Sequence, residues 1–510
     1  MWRVKSLDQI LATAEKKSLH RSLGPIQLTL LGIGAVIGTG IFVLTAEAAQ
    51  KAGPGMMISF VIAGAVCAVA ALCYSELASM VPVAGSAYTY SYAVLGELVA
   101  WLVGWALIME YALGASAVAV GWSGYVTGLL HNFAGITLPL ALTAGPDGGG
   151  VFNLPAVIIT ALVTGLLVVG TKESASVNAV LVAIKVLALT AFVALTLPIL
   201  HPQNFTPFAP KGWGNPLGSG GTGVLGAAAS IFFAYVGFDA VSTAAEETRN
   251  PQRNVPIGLI GSLVICTLFY LLVAGGAIGA YGGQPVYGAH GETIAAGSRA
   301  LTDRCAQLGD PIPLVCSREA LAHVLRHVGH PIVGDLLGLA AGFALPSVVL
   351  LMMFGQTRIF FVMARDGLLP RPLASVHPRF KTPHVVTIIT GVGVAIAAGL
   401  LPVGKLADYS NSGTLFAFGV VSLAVMVLRF TAKDRPRPFR TPLLFVVAPL
   451  SILGCVVLFI SLPIEAKLLF PIWSGVGLVL YFSYGFWRSN VRRGVEDDVP
   501  LDEAAPGGPA

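Results

Sequence analysis

Charge is what this sequence has least of. Only 11% of its 510 residues are Asp, Glu, Lys or Arg, where soluble domains carry about 25%. Hydrophobic residues make up 55%, and the mean hydropathy is +0.80. A water-soluble fold is excluded, and no nucleic-acid partner is expected. Cysteine is scarce: there are six, and Cys67, Cys73, Cys266 and Cys455 lie in apolar segments, where they are expected to pack. The sequence has no Cys-x-x-Cys, no histidine-rich metal spacing, no P-loop and no prominent nucleophile–base pair. Enzyme chemistry, ATP-driven pumping, a metal and an organic cofactor are therefore not expected. A cleavable signal peptide is missing as well. Residues Met1–Leu23 are polar and charged, so the first apolar segment is expected to be its own insertion signal.

What the chain does have is apolar runs of about 20 residues, enough to cross a bilayer core of about 30 Å. Twelve spans are expected, near 27–49, 56–80, 97–129, 152–170, 175–200, 223–245, 256–280, 333–364, 384–402, 408–430, 443–463 and 468–488. Turn residues punctuate them: Pro82 and Gly85, Asn250-Pro251, Pro370 and Pro372, Pro436 and Pro438. The class is all-α integral membrane. With the N-terminus in the cytoplasm, 21 Lys and Arg fall on the inner side and eight on the outer, with Lys185 inside a span. Both termini are thus expected in the cytoplasm. The loop 281–330 then faces outward, where Cys305 and Cys316 either form a bridge or stay as two thiols.

The stretch GIGAVIGTGIF, Gly32 to Phe42, holds four glycines in nine positions. Each costs a helix interior about 0.8–1 kcal/mol relative to alanine. A second unusual stretch, SIFFAYVGFDAVSTAAEE from Ser230 to Glu247, places Gly237 and the charged Asp239 in apolar surroundings. The two open spans one and six. They lie five spans apart, so spans one to five and six to ten are expected as inverted repeats with discontinuous helices at matching places. The expected division is an N-tail 1–26, repeat one 27–200, repeat two 223–430, two further spans in 443–488, and a C-tail 489–510. Unwound backbone in a membrane must line a polar cavity or meet a ligand. Freed N–H groups suit a carboxylate and freed carbonyls an ammonium, the two ends of an α-amino acid. The competing reading makes the glycines close helix contacts, since Gly34 and Gly38 have Gly-x-x-x-Gly spacing.

These segments, with GFDAVSTAAEETRNPQRNVPIGL, GQTRIFFVMARDGLLP and RPFRTP, resemble the amino acid–polyamine–organocation transporter superfamily, in particular bacterial members of its cationic amino acid transporter family. The resemblance runs from about residue 20 to 490. It implies the LeuT-type fold of two five-helix inverted repeats with helices 1 and 6 discontinuous, plus two C-terminal helices, and secondary active transport of L-amino acids by alternating access. It also implies a site. Amides of Gly38, Thr39 and Gly40 would hold the substrate carboxylate, and carbonyls of Val36 and Ile37 its α-amino group. Phe233 matches the aromatic that closes over substrate, with ordinary helix packing as the alternative. Ala234, Val236 and Gly237 would offer backbone, the carbonyls of Phe233 and Val236 reaching the α-amino group, and Asp239 matches the acidic residue after the break.

Glu110 and Lys185 sit mid-span at similar depth, where a charge costs about 2.5–3.5 kcal/mol if unpaired. A mutual pair is geometrically allowed, either as a proton-driven switch or as a static ion pair. The family pattern places a lysine where sodium-coupled relatives bind an ion between spans one, five and eight. Lys185 would substitute for that ion, making sodium coupling unexpected and a proton the coupling ion. Asp239 is the alternative proton site, or a helix-end anchor. Glu76, Glu246, Glu247 and Arg249 are candidates for an inner gate, with solvated loop charges as the other reading. Four function classes remain to compare. A sensor would bring a signalling domain, a channel an oligomeric ring or filter, and an enzyme a reactive cluster. A permease for neutral or broad-range L-amino acids fits best, with cationic substrates or amino acid exchange as alternatives. The bilayer is the expected environment; a small membrane subunit or a homo-oligomer is left open.

Overall fold

Glycine and proline set the helix ends of this chain. The computed structural model describes residue 4 and residues 23–81, 86–170, 175–218, 220–243, 248–309 and 311–494. Among the described residues there is no strand, only isolated bridges at Leu23–Thr248 and Tyr287–Thr293. The first expected span is three helices, α1 (Pro25–Val36), α2 (Thr39–Phe42) and α3 (Leu44–Ala52). A turn at Gly53–Gly55 leads into α4 (Met56–Met80), followed by α5 (Ser86–Val94) and α6 (Glu97–Ala134). Next come α7 (Leu154–Val169) and α8 (Ala175–Thr196). The sixth span is again divided, into α9 (Gly223–Ile231), a tight turn Phe232–Tyr235, and α10 (Ala240–Thr243). The rest is α11 (Pro251–Tyr281), α12 (Arg299–Leu308), α13 (Ala320–His327), α14 (Pro331–Arg365), α15 (His384–Leu400), α16 (Val403–Thr431), α17 (Leu444–Ser461) and α18 (Ile464–Leu480).

Eight helical stretches among the described residues are long and apolar enough to cross a membrane, and four shorter apolar helices join them. Two of those four, α1 and α9, are short because each ends at a break. Helix α6 runs through the middle, packed on α14 and α16. Helix α1 lies against α11 and α8, and α9 against α3 and α4, so the two breaks meet inside the bundle. Outward faces stay apolar: Ile332, Phe343 and Leu187 are 75%, 70% and 68% exposed. Polar side chains within the helices turn back on their own backbone, as Thr45 does to the Ile41 carbonyl and Thr160 to that of Ala156. This satisfies the hydroxyl without a partner from outside.

Several boundaries differ from the sequence expectation. Helix α16 starts at Val403 rather than 408, because Pro402 sets its first turn and Lys405 is paired with Asp147 and Glu465. Helix α11 starts at Pro251 rather than 256, since proline is well tolerated at a first helical position. The loop 281–330 holds α12 and α13, with Cys305 and Cys316 disulfide-bonded and their Cα atoms 5.7 Å apart. Glu246, Glu247, Lys172, Pro82, Gly85, most of the N-tail and the tail from Val495 lie outside the described residues.

Candidate functional site

The backbone leaves helical geometry in both expected segments. In the first, Ile37 is extended (φ −73°, ψ 97°) and Gly38 follows at φ −148°, ψ −146°. In the second, Val236 is extended and Gly237 has φ +111°, a conformation that favours glycine. The breaks touch. A Cβ added to Gly40 would lie 2.3 Å from the Cα of Ala234, and one on Gly237 would lie 2.9 Å from the Ala35 carbonyl oxygen. The close-contact reading of the glycines therefore also has a basis, at Gly40 and Gly237. Gly38 is different: the nearest atoms to its added Cβ belong to Val348, at 3.5 Å, an ordinary contact.

Helix α2 starts inside the bundle, and the first N–H groups of a helix lack intrahelical acceptors. Beside them the Thr39 hydroxyl is buried, with no hydrogen-bond partner among the described residues. These donors are free to meet an anionic group. The carbonyls are more occupied. The Tyr270 hydroxyl lies 2.8 Å from both the Val36 and the Ala234 carbonyls, and the Phe233 carbonyl accepts from the Val236 N–H at 3.2 Å. Val36 was expected to be open for an α-amino group; here one of its lone pairs faces Tyr270. Asn411 donates to the Ala229 and Ser230 carbonyls at the end of α9. The surrounding wall is apolar. An added Cβ on Gly114 would lie 2.9 Å from Met352 Sδ and 3.5 Å from the Phe233 ring, and Phe233 is 4% exposed.

Lys185 is buried, and its Nζ donates to the Gly34 carbonyl of α1 at 2.9 Å. The structure thereby joins the fifth and first expected spans. It does not form the Glu110–Lys185 pair. Both Glu110 carboxylate oxygens are buried, near Asp239 and the Thr414 hydroxyl. Asp239 is buried, with the Tyr111 hydroxyl 3.5 Å away. Glu76 instead holds Arg429 Nη2 at 2.6 Å and Arg437 Nε at 3.2 Å, and it accepts from the Thr441 N–H. It clamps α4 to the end of α16 and the segment after it. The Arg249 side chain is exposed while its N–H donates to the Leu23 carbonyl.

Sequence reasoning missed a second buried charge pair. Lys51 Nζ sits 2.8 Å from Asp408 Oδ2, and Ser230 bonds both residues. This ties α3, α9 and α16 together. In the sequence Lys51 falls between two expected spans, and Asp408 at the boundary of another. Near this pair, burial and the Lys51 charge pull the loop residue Lys211 down to about 8.

A family profile described as an amino acid permease matches residues 23–481. The chain belongs to that family, within the amino acid–polyamine–organocation superfamily. The branched-chain amino acid permease BcaP of Bacillus subtilis (strain 168) is 44% identical over 97% of this chain and 99% of its own length. The methylthioribose transporter of the same organism is 42% identical over 95% of this chain and 97% of its own length. Human cationic amino acid transporter 4 is 33% identical, covering 85% of this permease and 63% of its own length. The permease is a multi-pass membrane protein of amino acid transport and not an enzyme, as its relatives are transporters.

Proposed function

We propose that this permease is a secondary active transporter that takes up neutral L-amino acids in symport with a proton by alternating access. On this reading it has twelve spans, with inverted repeats over 27–200 and 223–430 in the LeuT manner, two added spans and cytoplasmic termini. The observation that carries it is the meeting of two helix breaks, with the N-terminal donors of α2 and the Thr39 hydroxyl, unpartnered among the described residues, at the first of them. Gly38, Thr39 and Gly40 would receive the carboxylate. Ile37, Val36, Phe233, Ala234, Val236 and Gly237 would frame the α-amino group, and Phe233 would close over the substrate.

Neutral substrates are supported by the apolar wall of Phe233, Met352 and Val348 and by two relatives of 44% and 42% identity, one named for branched-chain amino acids and one for methylthioribose. Proton coupling rests on three buried ionisable groups, Lys185, Glu110 and Asp239. Sodium is not assigned, because the Lys185 ammonium would occupy the place of the ion. The test is uptake of radiolabelled L-leucine into proteoliposomes at two pH values, with a panel of unlabelled competitors. The reading expects uphill accumulation that rises with an inward proton gradient and is blocked by neutral amino acids. Competition by arginine and lysine alone would move the assignment to cationic substrates. Binding without accumulation would make the protein a sensor, and downhill flux alone a channel.

A further inference from the structure

Helices α17 and α18 both pack on α16, and between them runs an apolar groove whose floor is α16. Phe416, Gly419 and Val456 line it, and Phe459 and Phe470 close its end near the α17–α18 turn, with their ring centroids 5.7 Å apart. The floor is open at Gly419, where an added Cβ would find its nearest atom, the Cβ of Cys455, 4.0 Å away. At the same end of the groove stands Lys467, one turn into α18 and therefore at a membrane interface rather than mid-membrane.

The surroundings of Lys467 decide what the groove fits. Among the described residues its Nζ meets only backbone carbonyls, those of Gly218 and Ile460 at 3.1 Å and Pro216 at 3.5 Å. The nearby Glu465 is bonded instead to Lys405, at 2.9 Å. A carbonyl satisfies a donor but does not cancel a charge. The groove therefore joins a greasy channel, open to the acyl region, to an unneutralised cation at headgroup depth. We propose that it holds one phospholipid of net negative headgroup, with an acyl chain along Gly419 and the phosphate at Lys467. Basic residues near a membrane surface attract anionic lipid in this way. The site lies on the back of α16, the helix whose Asp408 and Asn411 bond α3 and the end of α9, so its occupant touches a helix that reaches the proposed substrate site.

Native mass spectrometry of the full-length protein, with phosphatidylglycerol and phosphatidylcholine added in equal amounts, tests this directly. The wild type is expected to retain one phosphatidylglycerol in preference to phosphatidylcholine by about fivefold, the equivalent of ~1 kcal/mol. Lys467→Gln should retain both lipids equally. Gly419→Leu, which fills the floor, should retain neither above background, and phosphatidylglycerol should no longer raise its melting temperature. Should Gly419→Leu fail to fold, Gly419→Ala provides the partial loss. Equal lipid retention by wild type and Gly419→Leu overturns the proposal. So does a wild-type dimer that Gly419→Leu disrupts, since a second copy would then fill the groove. Transport of leucine is read separately, so failure of the lipid site leaves the substrate assignment standing.

Discussion

The two breaks occupy matching places in the chain but are finished differently. At the first, the carbonyl of Gly34 near the end of α1 is taken by a charged group, the Lys185 ammonium. At the second, the carbonyls of Ala229 and Ser230 at the end of α9 are taken by a neutral one, the Asn411 amide. A cation at a helix C-terminus is favourable, but it can be altered by protonation of its surroundings, whereas an amide cannot. The first break also keeps donors open beside the Thr39 hydroxyl, unpartnered among the described residues, while Tyr270 lies across carbonyls of both. On the proposed reading, the first break is the side that responds and the second the side that holds.

The largest effect is expected where the two breaks touch. Gly40→Ala would place a methyl 2.3 Å from backbone that has no rotamer to yield. Leucine uptake by purified, reconstituted protein is expected to fall by about tenfold or more, in line with overpacking costs of 1–3 kcal/mol. Uptake at the wild-type rate would mean that the breaks need not meet. Next comes the charged cap. Lys185→Ala is expected to remove most uptake and, in what remains, its dependence on pH; a wild-type pH profile in that variant would show that the responsive side lies elsewhere. Asn411→Ala leaves two buried carbonyls short of a donor and should cost about 1–3 kcal/mol of stability. Thermal unfolding in detergent should register that loss while the pH profile of uptake keeps its shape. A changed profile would erase the distinction between the breaks.

The smallest effect concerns Lys211, in the loop before α9. Its Nζ donates to the Gln50 carbonyl, and burial together with the Lys51 charge lowers it from 10.5 to about 8. The folded form therefore sheds this proton at lower pH than the unfolded chain does. Between about pH 8 and 10.5 the unfolded state binds more protons here, so stability should rise with pH across that window. Lys211→Met should flatten this part of the curve, as followed by melting temperature, and an unchanged slope would assign it to other groups.

Much of the site was legible because it violates a local rule. Four glycines within nine positions are costly in a helix interior, and Asp239, Glu110 and Lys185 are costly in apolar spans. Each violation is visible without knowing the fold. Tyr270 and Asn411 broke no such rule. Both are ordinary in an apolar helix, and the carbonyls they serve lie 36 to 234 residues away in the chain. Lys51 and Asp408 stood near span ends, where a charge looks solvated, and only the packing of α3 against α9 makes them a buried pair. Equal depth allows a Glu110–Lys185 pair. Depth along a helix does not fix the direction in which a side chain points, and the ammonium turns to Gly34 instead.

The most direct test of the central claim, that peptide groups of two broken helices grip the head of an amino acid, is a binding competition on the purified permease. Labelled L-leucine is displaced by L-leucine, by leucinamide, which lacks the carboxylate, and by 4-methylpentanoic acid, which lacks the amine. The account predicts that only leucine displaces the label well and that each truncated head group competes at least about a hundredfold more weakly, the loss of about 3 kcal/mol of charge-assisted hydrogen bonding. Displacement by leucinamide as effective as that by leucine would contradict it.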